Sequence, residues 1–559
     1  MPNQTELLDL LLQNRGITPE ARSRFLSPSY EEHVYDPYLL HDMERAVVRI
    51  FEAIEAKEKI VIYSDYDCDG IPSAVIMHDF LKKVGYENFS VYIPDRHDEG
   101  YGLHADAIES FIRDEVGLLI TFDLGITAVK EVTHAQANGI DVIITDHHLP
   151  HRTSDENSSD ILPPAYAIIN PKKEVCSYPD DMLCGAGLAF KLVQALIQKY
   201  GEYWNIPLGW EKWLLDMAGL ATLADQVPLV NENRVLASYG LKVLRKTRRP
   251  GLIELFRKAG VPLRTLTEED ITFTLAPRLN AASRMAHPMD AFLVLSTIDP
   301  VQARASADHL AKINDERKQN VAHIMKEVKK EMAKREEKSL IVIGNPAWRV
   351  GVLGLVSSKL SEEYKKPSFV WGQEGSDIIR GSCRGWGNVN LVSLMSLLPE
   401  NSLLAFGGHA GAGGFSVSHE EVHFLEERLL SVFSQTTISE ESNEDRLIDA
   451  TISIDDVTGE NYMVIEKLAP YGMGNPKPSF LFKDLPITDI KEFGKEQNHL
   501  EIIFTNSRGS RIKAIAFFKT RESFGRLLTK GERIDLIATF EKSTFAGRTE
   551  LRLRIVDIT

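Results

Sequence analysis

Three aspartates, Asp65, Asp67 and Asp69, alternate within Tyr63-Ser64-Asp65-Tyr66-Asp67-Cys68-Asp69-Gly70. Carboxylates this close repel one another unless a cation neutralises them, so the stretch is a candidate divalent-metal loop. Alone it also reads as a calcium-loop look-alike or a solvated acidic turn, because short acidic motifs often match by chance. Further candidates follow downstream: Asp123 after Leu119-Ile120-Thr121-Phe122, Asp146-His147-His148 after Val142-Ile143-Ile144-Thr145, and Asp225 in Leu223-Ala224-Asp225-Gln226. A carboxylate buried without a cation or a donor costs on the order of several kcal/mol, so Asp and His gathered at successive strand tips point to metal. Mixed carboxylate and imidazole donors suit manganese, with magnesium or cobalt as substitutes. The set is large enough for two ions, and paired ions clamp a phosphodiester, activate a water and stabilise the leaving oxygen.

The elements that must position these residues alternate strand and helix. Strands are predicted at 59–63, 89–93, 118–122 and 141–145, and helices at 71–84, 104–114 and 128–137, with apolar pattern returning near Ile168 and in a helix at 185–200. Such alternation implies a parallel sheet with helices on both faces, and open sheets of this kind hold their chemistry at the strands' carboxyl ends. The polar tract His151 to Asp160 reads as a mobile loop. A charged helical stretch, Val301 to Lys338, is expected to connect two domains. Beyond it, strands at 340–343, 367–371 and 378–383 mix with a helix at 352–364, and the polar, acidic run Thr436 to Arg446 reads as a linker. Short alternating runs at 500–504, 511–517, 534–540 and 550–555 suggest a small all-β barrel.

A chain of 559 residues exceeds a single core, and three or four domains are expected. The parts are an N-terminal helical segment (1–45), a parallel-sheet α/β domain (46–300), a connecting helix (301–338), a smaller mixed α/β domain (339–435) and a β domain (447–559). With 43% hydrophobic and 26% charged residues the composition is that of a soluble globular protein. The sequence shows no bilayer-length apolar run and no signal peptide, and predicts a cytoplasmic protein with no membrane segment. Four cysteines without a CxxC pair favour buried thiols over zinc or bridges. A net charge of -16 argues against coating duplex nucleic acid with the whole surface, yet leaves room for a local basic channel. Two basic regions stand out, Lys242 to Arg264 and Arg508 to Thr559, the latter with twelve Lys/Arg against six Asp/Glu. Either could equally be a solvated face.

Asp67-Cys68-Asp69-Gly70, Asp123-Leu124-Gly125, Asp146-His147-His148 and Ala224-Asp225 resemble the motif set of the DHH phosphoesterase superfamily. Ile93-Pro94-Asp95-Arg96, Glu99-Gly100-Tyr101-Gly102, Pro277 to Arg284, Gly381-Ser382-Cys383-Arg384, Gly407-Gly408-His409 and Tyr471 to Pro478 are similar to the RecJ family within it. That resemblance implies a DHH domain, a DHH-associated domain, and a C-terminal OB-fold. It implies an exonuclease specific for single-stranded DNA, working 5′-to-3′ and releasing 5′-mononucleotides by two-metal hydrolysis in DNA repair and recombination. A single-strand-binding protein and a helicase are the partners it suggests.

Carried over by position, Asp67, Asp69, Asp123, His147 and Asp225 match the metal ligands, with Asp123 as the bridge. His148 matches the histidine facing the scissile phosphate, and Asp65 and Asp146 are expected as supporting residues. Arg96, Arg278, Asn280, Arg284, Ser382, Arg384 and His409 match phosphate-holding positions, and guanidinium groups suit that task because they fork onto phosphate oxygens. Tyr101 matches a base-stacking aromatic. Gly407 and Gly408 would let backbone approach a phosphate. On the barrel, Phe504, Phe517, Phe540 and Phe545 interleave with arginines, either as a strand-binding surface or as core. The sequence departs from the pattern at Tyr63-Ser64, Ser283, Lys318 and Arg349, which implies tuned grip and retained activity. Alternatives are a DHH-family oligoribonuclease or phosphonucleotide phosphatase, a cyclic-dinucleotide hydrolase, and an inactive replication or repair scaffold.

Overall fold

Runs of β-branched and aliphatic residues, such as Ile60-Val61-Ile62 and Val142-Ile143-Ile144, are buried on both faces, which is the pattern of a parallel sheet under helices. The computed structural model describes residues 4–153, 159–375, 378–435, 448–545 and 548–559, without the side chains of 544, 545 and 548. The expected linker 436–446 lies outside them. The chain divides into two compact units, one of Asp36–Asp225 with Tyr239–Ser442, the other of Met1–Tyr35, Gln226–Ser238 and Asn443–Thr559.

The first unit opens with β1 (Lys59–Ser64), α1 (Gly70–Val84), β2 (Phe89–Tyr92), α2 (Ala105–Arg113), β3 (Val116–Phe122), α3 (Val129–Ala137), β4 (Asp141–Thr145), β5 (Ala167–Ile169), α4 (Gly185–Tyr200) and α5 (Leu215–Ala224). The sheet order is β2-β1-β3-β4-β5, all parallel, so the order reverses between β1 and β3. α1 carries Pro72 in its first turn and ends on Gly85 in the left-handed conformation, which is where each residue suits a helix. Residues 151–160, expected as a mobile loop, are framed by a two-residue antiparallel ladder, His151–Arg152 with Asp160–Ile161; 154–158 lie outside the described residues.

Further along come α6 (Ala276–Met285) and α7 (Pro300–Met332). Asp299 caps α7 by accepting from the Val301 amide at 2.9 Å. The helix stops six residues short of the expected Lys338. From Arg335 to Ser339 no apolar residue is available to bury, and Arg335 turns back to donate to the Val342 carbonyl at 2.8 Å. The next sheet holds β6 (Ile341–Gly344), β7 (Ser368–Gly372), β8 (Ile379–Arg384), β9 (Ala405–His409) and β10 (Ala412–Val417) in the order β9-β10-β8-β7-β6, with α8 (Leu353–Tyr364) against it. Only β6 and β7 pair in parallel, so the sheet is mixed.

In the second unit Ala450–Thr451, β11 (Phe480–Pro486), β12 (Asp489–Phe493), β13 (His499–Thr505), β14 (Arg511–Ala516), β15 (Arg533–Phe545) and β16 (Arg548–Ile558) form one seven-stranded sheet. Its core includes Phe480, Phe482, Phe504 and Phe540, together with Leu7, Leu8, Leu11 and Leu12 from the helix Gln4–Asn14. The N-terminal helix thus gives its apolar stripe to the β domain.

Candidate metal centre and strand cleft

Parallel pairing sets the site. Ser64 pairs with Phe122, Phe122 with Thr145, and Thr145 with Ile169, so the residues that follow each tip stand side by side. The ladder continues one step: the amides of Asp65, Asp123 and Asp146 donate to the carbonyls of Phe122, Thr145 and Ile169 at 3.2, 2.9 and 3.0 Å. Three aspartates are therefore lined up along the sheet's carboxyl edge, at the reversal of strand order where open α/β sheets bind ligands. Asp123 adopts φ +62°, a left-handed backbone that costs a non-glycine residue about 1 kcal/mol or more and is held only where the surroundings impose it.

The loop after β1 turns at once into α1. A Cβ at Gly70 would lie 2.4 Å from the Asp65 carbonyl oxygen, so only glycine fits there. Asp67 Oδ1 accepts from the amides of Asp69 (2.8 Å) and Gly70 (3.1 Å). The Asp69 carboxylate accepts from the amides of Gly185 (2.6 Å) and Ala186 (2.8 Å), at the N-terminus of α4, where the helix dipole favours negative charge. Gly185 also leaves room for the Asp123 side chain, whose Cβ would lie 2.8 Å from a methyl there. This role of Gly185 is not legible in the sequence; its only signal is the small-residue run Gly185-Ala186-Gly187 opening an apolar helix.

His147 Nε2 lies 3.1 Å from Asp123 Oδ1 and 3.6 Å from Asp69 Oδ2. Donor atoms fall within 4.8 Å of one another in three sets: Asp69, His147 and Asp225; Asp65, Asp67 and Asp123; Asp123, His147 and His148. Asp123 and His147 each belong to two sets, and Asp65, expected as a supporting residue, belongs to one. The residues fit divalent cations. Asp65 Oδ1 and Asp123 Oδ1 are shielded from solvent and accept no hydrogen bond among the described residues, which a carboxylate tolerates only beside a cation or with a proton.

The electrostatics agree. Burial, then Asp67, pushes Asp69 up to about 6. Burial, then Asp69 and Asp67, raises Asp123 well above the carboxylate range. Asp225, at the end of α5, is pushed up to about 8 by desolvation and then by Asp69 and Asp67, although solvent at its exposed side screens part of that. Burial, then His148, depresses His147 to about 3, which keeps its imidazole neutral and able to donate a lone pair. His148 is different. Burial would lower it, but Asp146 Oδ1 at 2.8 Å from its Nδ1 outweighs that and raises it.

Of the residues expected to hold the strand, Tyr101 is in direct contact with the cluster. Tyr101, half-exposed, places its hydroxyl 3.3 Å from both the Asp123 carbonyl and His148 Nδ1. The Arg96 guanidinium lies over the Tyr66 ring at 5.0 Å. Arg284 donates to the Gly351 carbonyl at 3.3 Å and is lowered to about 9 by burial and by its neighbours Arg96 and Arg317. Arg278 donates to the Thr274 carbonyl at 2.5 Å. The Asn280 side-chain oxygen is buried and makes no hydrogen bond among the described residues. Among the described residues none of Arg96, Arg278, Arg284 or Arg317 has a carboxylate within 4.0 Å. Arg317, on α7, joins this group, and nothing in the sequence marks it, because one arginine in a charged helix carries no distinguishing signal.

From the second sheet, His409 at the end of the exposed edge strand β9 sets its ring parallel to that of His148. Gly408 has φ +135° and a Cβ there would meet the Ala412 carbonyl oxygen at 2.4 Å, so the hairpin itself requires glycine; Gly407 has open space beside it. Ser382 and Arg384 alternate on β8 and make no hydrogen bond or ion pair to the aspartate cluster among the described residues. The departures from the family pattern are accommodated: Arg349 pairs with Glu374 at 2.9 Å, Ser283 is buried in α6, and Lys318 is on the surface near Asp315.

The basic regions divide. Much of Lys242 to Arg264 is spent internally: Arg245 on the Leu266 carbonyl, Arg249 on Asp79 and Asp216, Arg257 on Glu254, and Lys258 on Asp308. On the β domain Phe504 and Phe540 are core, whereas Phe517 is half-buried under Arg554 (4.1 Å to the ring centroid) and Arg552 (5.9 Å). The Phe545 side chain lies outside the described residues.

Residues 59–222 match the model of the DHH family, N-terminal domain, and residues 448–557 match the RecJ OB domain. A single-stranded-DNA-specific exonuclease RecJ of Bacillus subtilis (strain 168) is 34% identical over 560 residues, covering 99% of this chain and 68% of the relative. The crystal structure of RecJ in complex with Mn2+ from Thermus thermophilus superposes with a TM-score of 0.81 at 24% identity, covering 99% of this chain and 76% of that one. A structure of exonuclease RecJ bound to manganese matches 71% of this chain and 96% of its own at TM-score 0.62 and 28% identity. With its DHH domain, its RecJ-type OB domain and this likeness along nearly the whole length, the chain belongs to the RecJ family.

Proposed function

We propose that this protein is a metal-dependent exonuclease acting on single-stranded DNA, in DNA repair and recombination, and that it works 5′-to-3′ and releases 5′-mononucleotides. The relatives it matches are named as single-stranded-DNA-specific exonucleases. The observation that carries the reading is the meeting of two features: buried aspartate oxygens that accept no hydrogen bond, and near them arginines with no carboxylate partner among the described residues. The first calls for cations and the second for a polyanion.

Asp67, Asp69, Asp123, His147 and Asp225 would hold two ions, Mn2+ with Mg2+ or Co2+ as substitutes. When bound, the ions supply positive charge to the phosphodiester and lower the pKa of a water near them. Asp146 orients His148 and favours its protonated form, so that its proton is available to the oxygen on which negative charge develops. Arg96, Arg278, Arg284, Ser382 and Arg384 grip phosphates, with Asn280 and His409 and the backbone at Gly407 and Gly408 lining the same path. Tyr101 offers a ring to the terminal base, a contact that tolerates any sequence. Residues 46–300 act as the DHH domain, 301–338 as the connector, 339–435 as the DHH-associated domain, and 447–559 as the OB-fold that holds strand through its Phe517 face. Cytoplasmic location and cooperation with a single-strand-binding protein and a helicase belong to the same reading; no helix among the described residues is long and apolar enough to cross a membrane.

Strands labelled separately at each end, digested with Mn2+ and sized, test it. Label at the 5′ end should appear at once as mononucleotide while the 3′ label shortens stepwise, and Asp123→Ala should abolish both. Retained hydrolysis in Asp123→Ala, or mononucleotide released first from the 3′ label, would overturn the assignment.

A further inference from the structure

Gly351 is glycine for a reason its backbone does not supply. Its φ is not in the left-handed region, so any residue could adopt its conformation. Space is what forbids a side chain. A Cβ there would lie 2.1 Å from the Arg284 carbonyl oxygen and 2.8 Å from His97 Cε1. The first obstacle is backbone and cannot swing aside. Gly351 sits in the short turn Val350–Val352 ahead of α8, on the side of the mixed sheet, while Arg284 lies in the last turn of α6 and His97 in the loop after β2. Three separate segments thus close on one point with no room for a methyl group.

A second contact ties the same loop to the same sheet. Arg380 donates to the His97 carbonyl at 2.6 Å and has no carboxylate partner among the described residues. Arg380 lies on β8 two and four residues before Ser382 and Arg384, on the face they share by strand alternation. The loop it grips is wound on itself. Asp95 Oδ1 accepts from the amides of His97 and Asp98, Glu99 accepts from the Asp95 amide and the Tyr92 hydroxyl, and Gly100 and Gly102 have φ +91° and +109°. Such a loop moves as a piece. It bears Arg96 one residue before His97 and Tyr101 four residues after.

We propose that the junction of Gly351, His97 and Arg380 is a positioning device that fixes the spacing of the strand cleft. It locks the loop carrying Arg96 and Tyr101 to the strand carrying Ser382 and Arg384, so that grips on the two sides address one strand at a set distance. Neither Gly351 nor Arg380 touches substrate in this role; both act through the loop. The inference rests on the strand-hydrolysis reading above and adds to it the residues that set the cleft's width.

The test uses the full chain carrying Gly351→Ala, Arg380→Ala or Arg380→Lys, with Mn2+ and a long 5′-phosphorylated single strand of DNA. Misplacing a grip by about 1 Å can cost roughly a hundredfold, so Gly351→Ala and Arg380→Ala should lower kcat/KM by between about tenfold and a hundredfold, mainly through KM. Arg380→Lys, which can still donate to the His97 carbonyl, should recover part of the loss. The rise in melting temperature on adding Mn2+ should match that of the unaltered protein, because the junction touches none of the aspartates. An unchanged KM in Arg380→Ala, or a Mn2+ response lost in step with activity, would overturn the proposal. Should Gly351→Ala fail to fold, Arg380→Ala and its lysine counterpart decide alone. Failure of the unaltered protein to degrade the strand would instead strike the functional reading.

Discussion

His148 and His409 face each other with their rings parallel, 5° apart in orientation and 6.4 Å between centroids. The two come from different sheets: His148 follows β4 beside the aspartates, and His409 ends β9. Among the described residues only His148 is anchored to a carboxylate, its Nδ1 held by Asp146 Oδ1.

His148 is expected to serve the reaction more than the ions. Its Nδ1 is engaged by Asp146 and its proton is held more tightly than in a free imidazole. His148→Ala should therefore lower kcat by about a hundredfold to ten-thousandfold, the usual worth of a placed acid–base group, while the thermal stabilisation by Mn2+ persists. If that stabilisation disappears together with kcat, His148 belongs among the ion-holding residues.

Stability without metal should fall as pH rises. Asp69 and Asp225 have folded values of about 6 and about 8 against an ordinary 3.8, so the folded state binds their protons more tightly. That stability is fully present below the ordinary value and is lost as pH climbs through the folded one. His147, at about 3 against 6.5, works the other way, but mainly below its ordinary value. Between pH 6.5 and 8 Asp225 outweighs the small remaining opposition from His147, and the raised His148 adds to Asp225. The chelator-treated protein should melt lower at pH 8 than at pH 6.5, and Mn2+ should raise the melting temperature more at the higher pH, because its ligands must be deprotonated. Melting curves at the two pH values, with chelator and with Mn2+, check both; a metal-free protein more stable at pH 8 would contradict the cluster's electrostatics.

Arg249 should matter for stability and not for DNA. Its guanidinium is buried between Asp79 (2.7 Å) and Asp216 (2.6 Å), and these charges outweigh burial to hold it protonated. Removing one member of such a group strands the others, at a cost of about 3–5 kcal/mol. Denaturant unfolding of Arg249→Ala should show a loss of that order, with strand affinity unchanged in the folded fraction; weakened binding without destabilisation would return Arg249 to the nucleic-acid surface.

Legibility follows the range of the forces involved. Asp65, Asp67, Asp69, Asp123 and Asp146 are readable because each follows an apolar run whose strand character is local, and parallel pairing then aligns the tips. Asp225 is readable only as a polar residue closing a helix. The hairpin β9–β10 is not readable as strands, because Gly407, Gly408, Gly411, Gly413 and Gly414 erase the alternation that marks them. Nor can charge runs reveal that Arg249 turns inward or that Arg317 joins Arg278 and Arg284, since both depend on contacts between distant segments. The N-terminal leucines give a helix stripe but no partner, and the core they complete lies more than four hundred residues along the chain.

The β domain offers a sharper test, because one face combines an aromatic ring with a charge. Along β16, Leu553 and Ile555 point to the core, so Arg552 and Arg554 project outward. Arg554 covers Phe517, and His499 packs edge-on to the same ring at 5.2 Å. If this face holds single strand, the two residues contribute by different physics. Stacking on an aromatic ring is worth about 1–3 kcal/mol per base and is insensitive to salt, whereas each phosphate contact steepens the fall of affinity with salt by about 0.7 in log–log slope for single strands. Phe517→Ala and Arg554→Ala should each weaken binding of an oligodeoxythymidylate, measured by anisotropy in chelator so that nothing is cleaved. Only Arg554→Ala should flatten the salt dependence. Equal slopes in both variants would mean that Arg554 merely braces the ring, and unchanged affinity in both would remove this face from the strand's path.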